Sequence, residues 1–435
     1  MKLGIPERNH RIVSESKLFC DLTQSYAPSG GGGIGTYLRE KRAYVLEHTQ
    51  HRLLQIVPGP EDRIVEDGRH IWVEIGAQPV RGSPNYRFIL RTRAVREVLE
   101  RYHPDMIESQ CPWVLPWTAI NYRRAFPETA LVAGYHTDFP NTHIYRVGSD
   151  LFGDYLARGL RRLSTGYAEI TYSEFDRIYT LGEDMRDLLA SYRIDHVDVL
   201  ALGVDARTFR PDRRDPALRQ QFGLTQNGPL LVYAGRLDNE KRADRLLAMF
   251  RMLPRALGAD LILVGDGKLR ASLEEQAQAE SLPVAFAGYI SDREELARIL
   301  ASSDIYVSAM ADETFGLSVL EAQACGLPVV GFAAGAMVQR VPEALGMLVE
   351  LDDVAAMARA VEHVWRADHD AIGGRARAHV LERFGWKATF ERLFGQIYVK
   401  AFVASEARRH AAGWFGRLSG MPIRTSPRGL GAGWK

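Results

Sequence analysis

The sequence predicts an α/β protein built on two doubly wound parallel sheets, each with its own core. From Lys17 onward, short apolar runs bounded by Gly, Pro, Asn or Asp alternate with longer segments of helical period. This alternation is typical of βα units around a parallel sheet. The chain has 435 residues, of which 46% are hydrophobic and 25% charged. At about 150 residues per domain, this length and balance predict a globular protein with two or three domains.

The first half of the chain contains six apolar runs of strand length. They predict strands over 18–22, 53–57, 106–108, 130–135, 177–180 and 197–202. Apolar residues at helical spacing predict helices between them, for example over 34–47 and 92–102.

The second half repeats the same rhythm more regularly. Its predicted strands cover 230–233, 260–264, 284–287, 305–308 and 328–332. Its predicted helices cover 243–252, 268–280, 294–302 and 318–324, followed by 371–384 and 386–412. This half therefore predicts a second doubly wound sheet with helices at its end.

A charged stretch over 201–223 separates the two halves, and its Gly203 and Pro211 make it poor helix or strand material. We predict an N-terminal domain over 1–202 and a C-terminal domain over 203–385. A helix over 386–412 is expected to return to the first domain, and a basic, aromatic tail follows over 413–435. Two such domains would face each other across a cleft, the usual ligand position in open α/β sheets.

Charge and cysteine content exclude several function classes. Lys plus Arg number 55 and Asp plus Glu 54, so the formal charge of +1 argues against a general nucleic-acid binder. The three widely spaced cysteines fit neither a disulfide framework nor a zinc site, which favours a reducing compartment. No run of 18 apolar residues and no signal-peptide pattern occur. We therefore expect a cytoplasmic protein that does not cross a membrane.

Two glutamates, Glu313 and Glu321, flank the start of the predicted helix after strand 305–308. At about 1.5 Å of rise per helical residue, their carboxylates can lie on the order of 10 Å apart and hold two parts of one elongated ligand. The N–H groups of Phe315, Gly316 and Leu317 between them offer an anion site. The alternative is a pair of ordinary acids near a helix N-terminus.

This segment resembles the E-x7-E motif of glycosyltransferase family 4, whose members are retaining enzymes of the GT-B fold. The resemblance implies that Glu313 contacts the transferred sugar and that Glu321 contacts the nucleotide ribose. It also implies two facing Rossmann-like domains, with the donor bound by the second.

A turn with two cations, Gly235-Arg236-Leu237-Asp238-Asn239-Glu240-Lys241, follows strand 230–233. A fixed guanidinium and a mobile ammonium can neutralise a diphosphate, although an ordinary surface pair is the alternative. The stretch is similar to the family pattern G-R-L-x-x-E-K. That similarity implies that Arg236 and Lys241 bind the donor diphosphate.

A glycine run over 30–33 lies between strand 18–22 and helix 34–47. Its N–H groups can reach a phosphate, but alone it is equally consistent with a flexible loop. The resemblance points to Gly32 and Gly33 as the phosphate-binding pair.

The segment His136-Thr137-Asp138-Phe139-Pro140 follows strand 130–135. A lone His is more often structural than catalytic. The segment resembles the H-T-D-F-P stretch of a subset of family 4 enzymes, several of which glycosylate lipids. By that resemblance His136 positions the transferred sugar and Asp138 lies on the acceptor side.

Weaker matches extend the resemblance over about 17–401. They include Val264-Gly265-Asp266-Gly267 and the stretch over 286–290, where Tyr289 would lie beside the nucleobase. The motifs do not require a metal ion. The D-x-D pattern at Asp368 and Asp370 lies in a helical stretch far from these motifs, and we interpret it as a solvated helix face.

The resemblance implies transfer of a hexose or hexuronosyl unit from a nucleotide-diphosphate sugar, with a UDP-sugar chosen on base rates and no further cofactor. Cations with aromatic residues in the tail, and a basic amphipathic stretch over 87–101, suit an anionic membrane surface on the cytoplasmic side. We therefore expect a membrane lipid acceptor such as a diacylglycerol or ceramide-type glycolipid, with solvated faces as the alternative reading of both stretches. A saccharide acceptor in cell-envelope polysaccharide or lipopolysaccharide assembly is the second choice. An epimerase, a phosphorylase and a silent binding protein are the alternatives from other classes.

Overall fold

The chain forms two compact units in a computed structural model that describes residues 15–26, 32–80, 83–145, 148–149, 153–311 and 315–419. Unit 1 contains Met1–Leu200 and Phe390–Lys435, and unit 2 contains Ala201–Thr389. Each unit has its own parallel sheet and its own buried apolar cluster. The α/β class with two doubly wound sheets is confirmed.

Unit 1 is built on an eight-stranded sheet. In chain order the strands of unit 1 are β1 (Leu18–Leu22), β2 (Ser25–Tyr26), β3 (Arg52–Gly59), β4 (Arg63–Asp67), β5 (His70–Gly76), β6 (Pro79–Val80), β7 (Ser83–Phe88), β8 (Met106–Ser109), β9 (Ala130–Tyr135), β10 (Arg177–Thr180) and β11 (Val197–Val199). The main sheet has the order β11-β10-β9-β8-β1-β3-β5-β4, and β4 alone within it runs antiparallel to its neighbour. Strands β2, β7 and β6 form a small antiparallel sheet.

The hairpin of β4 and β5 was absent from the strands that we predicted. Four of the five residues of β4 are exposed, so this edge strand lacks the apolar run used to find the others. Strand β5 alternates buried and half-buried residues after its first two positions, which also breaks an apolar run. Strands β1, β9 and β10 have the predicted bounds because they are central and buried.

Helices cover the faces of the main sheet. They are α1 (Gly32–His48), α2 (Thr92–Tyr102), α3 (Leu115–Ala125), α4 (Asp154–Tyr172) and α5 (Glu183–Ser191), and a π-helical turn spans Pro140–Tyr145. The buried side of α2 consists of Ala94, Val95, Val98 and Leu99, which belong to the core of unit 1. On its outer side Arg93 pairs with Glu97 and Arg96 with Glu100. Within the stretch over 87–101, Arg87 and Phe88 thus end strand β7, and the rest from Thr92 onward is a core-packed helix with a charged outer side. Membrane binding by this stretch stays a prediction.

Unit 2 contains a six-stranded, fully parallel sheet. Its strands are β12 (Leu230–Ala234), β13 (Asp260–Val264), β14 (Val284–Gly288), β15 (Ile305–Ser308), β16 (Val329–Phe332) and β17 (Gly346–Val349), in the order β14-β13-β12-β15-β16-β17. Its helices are α6 (Leu218–Gln221), α7 (Ala243–Arg251), α8 (Arg270–Ala279), α9 (Arg293–Ala301), α10 (Leu317–Ala324), α11 (Met337–Arg340), α12 (Val354–Arg366) and α13 (His369–Arg383). The order of strands is that of a Rossmann sheet.

The loops after β12 and β13 interlock through Gly265. A Cβ on Gly265 would lie 1.8 Å from the carbonyl oxygen of Gly235. The φ of Gly265 is +135°, a backbone conformation that residues with a side chain rarely adopt. The N–H of Gly235 in turn donates to Val264 O at 2.9 Å. The close approach of these two backbones therefore requires glycine in the Gly-Asp-Gly stretch.

A continuous helical run ends the described chain. It consists of α14 (Trp386–Arg392), a π-helical turn (Leu393–Tyr398) and α15 (Val399–Ser419). Phe394 and Tyr398 pack on Phe19 of β1 with ring centroids 5.0 Å away in both pairs. We expected helix only to Ala412, but it continues to Ser419, because an established helix gains one backbone hydrogen bond for each residue added. Residues 420–435 of the predicted tail lie outside the described residues.

Candidate functional site

The two predicted donor motifs of unit 2 lie at one point of its sheet. Strands β12 and β15 are neighbours, and from them the chain proceeds to opposite sides of the sheet. Residues 235–241 follow the carboxyl end of β12, and residues 309–317 follow that of β15. Loops that diverge at such a switch point leave a crevice, where ligands of open parallel sheets bind.

Arg236 and Lys241 lie at this switch point. The guanidinium of Arg236 is half-exposed and lies 2.6 Å from carboxylate oxygens of both Asp238 and Glu240. The ammonium of Lys241 lies 2.8 Å from the sulfur of Met310, in the loop after β15. An anion that binds Arg236 must exchange with these two carboxylates, whereas Lys241 already bridges the two strand ends.

The N-terminus of α10 faces the same loop region. Gly316 precedes the helix with φ +81° and ψ +45°, a left-handed conformation that glycine adopts without strain. The helix begins at Leu317, and its first turn carries no acidic side chain. Its N–H groups therefore form a site that favours an anion. Asp312, Glu313 and Thr314 lie outside the described residues.

Arg340 holds the residue before this helix. Its Nε donates to the carbonyl oxygen of Phe315 at 2.8 Å, and its guanidinium lies 4.3 Å from the centroid of the Phe315 ring and 5.0 Å from that of Phe384. Phe315 is buried. Because the guanidinium binds both the backbone and the ring, it fixes the direction from which the chain enters α10.

The second predicted glutamate, Glu321, lies on α10 with its side chain almost wholly buried. Its Oε1 accepts a hydrogen bond of 2.6 Å from Arg293 at the start of α9. The Arg293 guanidinium in turn lies 4.5 Å from the centroid of the Phe209 ring. The carboxylate is thus oriented by a cation that is itself fixed by stacking.

A buried tyrosine, Tyr306 of β15, links the two motifs. Its hydroxyl donates to the carbonyl oxygen of Ala234 at 3.2 Å and lies 2.9 Å from the hydroxyl of Ser318. It thereby ties the end of β12 to the first turn of α10. Tyr289 follows β14 directly and is 42% exposed, so its ring is available to a ligand.

In unit 1, His136 follows the carboxyl end of β9. The Nε2 of His136 is hydrogen-bonded to Oε1 of Gln110, and its ring packs edge-on against Tyr179 at 5.7 Å. Gln110 also donates from Nε2 to Oε1 of Glu108, which accepts from Tyr37 at 2.7 Å and from Tyr179 at 2.8 Å.

This arrangement fixes the tautomer of His136. Burial raises the pKa of Glu108, but the Lys41 ammonium and three tyrosine hydroxyls outweigh it, and the net pKa lies below the usual range. An ionised carboxylate only accepts hydrogen bonds, so the Gln110 amide turns its NH2 to Glu108 and its oxygen to His136. His136 consequently donates from Nε2 and keeps the lone pair of Nδ1 for another partner.

We expect the His136 imidazole to stay neutral from pH 8 down to about pH 5. Loss of hydration lowers its pKa to about 4, against a weaker opposing effect of Glu108. An unfolded His takes up its proton near pH 6.5, so this group removes stability as the pH falls from about 6.5 towards 4 and has no effect above that window. NMR of histidine-labelled protein measures the titration, and His136→Gln assigns the resonance. A His136 resonance that titrates near pH 6.5 would contradict the expected environment.

A buried charged cluster continues behind Glu108. The Lys41 ammonium of α1 lies 3.0 Å from Glu108 Oε2 and is also hydrogen-bonded to Asp21 Oδ1 and, at 2.6 Å, to the hydroxyl of Tyr398. Lys41 and Asp21 are fully buried and Glu108 is 1% exposed. Attraction to the two carboxylates outweighs burial and raises the pKa of Lys41. The cluster thus joins β1, β8, α1 and the C-terminal helical run.

The sequence carried a signal for this cluster that we did not use. Asp21 and Glu108 are charged residues inside predicted buried strands, and they are register partners in the sheet. Gln55 of β3 is the other register partner of Asp21 and donates to its Oδ2 at 2.9 Å. Charges within such strands predict a buried polar network.

The remaining predicted residues of unit 1 have local structural roles. Gly32 and Gly33 are the first residues of α1, and a Cβ on Gly33 would meet nothing within 4 Å. Among the described residues, none therefore obstructs a side chain at position 33. The Asp138 carboxylate accepts from the hydroxyl of Tyr192 at 3.1 Å and from the amide of Asn141, so it orders the start of the π-helical turn.

Neither a metal cluster nor a membrane-spanning helix is found in the described part of the chain. Within these residues no group of three or more His, Cys, Asp or Glu could hold a metal ion. Asp368 of the D-x-D stretch caps α13 by accepting from the N–H of Ala371 at 2.9 Å. No described helix is both long and apolar enough to cross a bilayer.

Comparisons with known proteins identify the family of the chain. Residues 31–208 match the model of "Glycosyltransferase Family 4", and residues 214–374 match that of "Glycosyl transferases group 1". The chain is 32% identical over 315 residues to the GDP-mannose-dependent alpha-(1-6)-phosphatidylinositol dimannoside mannosyltransferase of Mycobacterium tuberculosis, which covers 70% of this chain and 76% of the relative. It is 28% identical to the GDP-mannose-dependent alpha-mannosyltransferase of Mycolicibacterium smegmatis over 86% of this chain and 95% of the relative.

Among solved structures, sucrose-phosphate synthase from Thermosynechococcus elongatus is similar with a TM-score of 0.72 and 21% identity, over 90% of this chain and all of that one. At this identity the similarity shows the fold alone, which is GT-B. Two family models cover both halves of the chain, and a relative above 30% identity covers most of it. The chain belongs to glycosyltransferase family 4 and is a glycosyltransferase of the GT-B fold.

Proposed function

We propose that this enzyme transfers a hexose from a nucleotide-diphosphate sugar to a glycolipid acceptor at a membrane surface, with retention of anomeric configuration. We take unit 2 to bind the donor and unit 1 to bind the acceptor. The observation that carries the donor half is the placement of Arg236, Lys241 and the α10 N-terminus at one switch point. The mycobacterial relative, which is named for a phosphatidylinositol dimannoside, supports the lipid half.

GDP-mannose is the donor that we propose first. The UDP-sugar expected from the sequence rested on base rates, whereas both relatives described above are named as GDP-mannose-dependent. The carboxylate of Glu321, buried and held by Arg293, suits a pair of ribose hydroxyls, which every such donor carries. Tyr289 is our candidate for the nucleobase.

In the proposed chemistry, the acceptor oxygen attacks the anomeric carbon on the same face of the sugar from which the diphosphate departs. The bond between the anomeric carbon and the diphosphate oxygen breaks, and a bond from the acceptor oxygen to the same carbon forms. The acceptor proton moves to the departing diphosphate oxygen, so no separate base is needed. Arg236, Lys241 and the N–H groups after Gly316 stabilise the diphosphate charge as it develops.

We propose that His136 and Glu313 bind the transferred sugar. The tautomer described above leaves Nδ1 of His136 as an acceptor, which suits a sugar hydroxyl. Glu313 keeps the role that the family resemblance implies. Gly32 and Gly33 remain candidates for the diphosphate, and Asp138 for the acceptor side.

A donor and acceptor panel tests the proposal. GDP-mannose, UDP-glucose, UDP-glucuronate and ADP-glucose are each supplied with phosphatidylinositol mannoside, diacylglycerol, ceramide or an oligosaccharide, and products are read by mass spectrometry. We expect a hexosylated lipid from one donor, GDP-mannose. A product on the oligosaccharide alone would contradict the lipid acceptor, and isomerised donor would indicate an epimerase.

A pair of arginine variants ties the activity to the switch point. Arg236→Ala is expected to lower the transfer rate by about 10²-fold or more, the usual effect of losing one group that stabilises a leaving charge. Arg255→Ala is the matched control, because Arg255 is exposed on the 3-10 turn before β13, at the opposite edge of the sheet. Equal loss in both variants would contradict the assignment.

A further inference from the structure

The outer face of helix α4 is apolar, although it is exposed. Five of its large side chains are exposed, by 39% to 86%, and we call them the α4 outer face: Tyr155, Leu156, Leu160, Leu163 and Ile170. At 100° per residue these five lie within an arc of about 140° along the helix. They therefore form one stripe on one side of α4.

The side of α4 that meets the core carries no large aliphatic residue. Its buried positions are Ala157, Ala168, Thr171 and Tyr172. Helix α2 of the same unit has the ordinary pattern, with Val95, Val98 and Leu99 inward and charged residues outward. Because α4 directs most of its large aliphatic side chains away from the core, its outer face has the character of a contact surface.

Positive charge borders one edge of this stripe. Arg158 and Arg162 are exposed on α4 within about 60° of Tyr155, and the stretch from Tyr155 to Ala168 contains no acid. Among the carboxylates that the structure describes, none forms an ion pair with these two arginines. Arg161 lies on the other side of the helix, where it donates to the Asn141 side chain at 3.3 Å. Apolar residues bordered by cations are typical of a helix that lies in the interface of an anionic membrane.

We propose that α4 docks the enzyme on an anionic lipid surface, with the α4 outer face inserted among the lipids and Arg158 and Arg162 at the phosphate level. A second copy of the chain fits this surface less well. A two-fold contact would place Arg158 and Arg162 of both copies in one interface, where like charges repel.

The position of α4 connects this surface with the acceptor chemistry, and this step rests on the proposed function. Tyr167 of α4 packs edge-on against Phe139 at 6.2 Å, and Tyr172 against Tyr135 at 5.1 Å. Both partners flank His136 in sequence. A helix seated in the membrane would therefore hold the His136 segment close to the headgroups of lipid acceptors.

Vesicle co-sedimentation tests the docking surface with the full chain. We expect binding to vesicles of phosphatidylcholine with 30% phosphatidylglycerol, and much weaker binding to phosphatidylcholine alone. Leu156→Ser/Leu163→Ser should weaken binding to the anionic vesicles by about tenfold or more, since it removes two inserted side chains. Arg158→Gln/Arg162→Gln should have a similar effect on anionic vesicles only.

The matched control is Met252→Ser/Leu381→Ser in unit 2, where both side chains are exposed by 53%. We expect this variant to bind as the unchanged protein does. Three results would each overturn the proposal. The first is equal weakening of vesicle binding by this control and by Leu156→Ser/Leu163→Ser, and the second is unchanged binding after Leu156→Ser/Leu163→Ser. The third is a dimer in the absence of lipid that Leu156→Ser/Leu163→Ser dissociates.

Transfer to an acceptor dispersed in detergent separates this proposal from the proposed function. The α4 variants should keep full transfer in detergent and lose it only on vesicles. Vesicle binding that depends on α4, with no transfer from any donor, would uphold the docking surface and overturn the function alone. Loss of transfer in detergent by the α4 variants would overturn the docking role, because the helix would then act on the chemistry itself.

Discussion

Replacing Glu313 with glutamine is expected to lower the transfer rate by about 10²- to 10³-fold with little effect on donor affinity. The family resemblance gives this carboxylate to the transferred sugar, where positive charge develops as the bond to the diphosphate breaks. A neutral amide of the same shape keeps the hydrogen bonds to hydroxyls but loses the charge, so the loss falls on the transition state. Steady-state kinetics with the preferred donor, together with calorimetric donor binding, separates the two effects.

The control for this experiment is Glu343→Gln. Glu343 is exposed on the 3-10 turn before β17, at the amino end of a strand and away from the switch point. We expect unchanged kinetics there. Full transfer activity in Glu313→Gln would show that Glu313 does not belong to the site. A rise in KM of the same size as the expected loss, without a fall in kcat, would instead assign Glu313 to donor binding alone.

Replacing Lys41 with methionine is expected to destabilise unit 1 by about 3 to 5 kcal/mol, because the change leaves Glu108 and Asp21 buried without their cation. For a unit of this size the loss corresponds to a fall in melting temperature on the order of 10 °C. Thermal unfolding followed by circular dichroism measures it. The loss should be largest at neutral pH.

The pH dependence identifies the cause. Without Lys41, burial and mutual repulsion raise the pKa of both carboxyls above their unfolded values, so the folded variant binds more protons than the unfolded chain. Its stability therefore rises as the pH is lowered from 7 towards 5. The control is Arg93→Met, which removes the exposed partner of Glu97 in the same unit and should cost less than about 1 kcal/mol. A Lys41→Met loss that does not change with pH would show that the cluster acts by packing rather than by charge.

Much of the fold could be predicted because central parallel strands are short apolar runs. Strands β1, β9 and β13 have the predicted bounds, since burial on both faces leaves them few polar residues. The hairpin of β4 and β5 could not be found by this criterion, because β4 lies at the sheet edge and is exposed. The amphipathic stretch over 87–101 has an apolar side that suits either a core or a membrane, and only packing distinguishes the two.

The candidate site likewise contains residues that the sequence could place and residues that it could not. Arg236, Lys241, Gly316 and Glu321 are close in sequence to strand ends, so the strand prediction itself placed them at one edge of a sheet. Arg340 and Arg293 are separated from the residues that they hold by 25 and 28 positions. Their roles depend on how helices pack against the loops, which no local pattern encodes.

Local sequence pattern was enough to establish the class of the protein: two doubly wound sheets, the family motifs and the residues that these motifs place at strand ends. These follow from the period of apolar residues and from turn glycines, which act over a few neighbouring positions. Three further features became visible only in the folded chain: one buried cluster joins Asp21, Lys41, Glu108 and Tyr398, Gln110 sets the tautomer of His136, and α4 presents an apolar face outward. Those outcomes depend on which residues distant in sequence become neighbours, and therefore on packing rather than on local pattern.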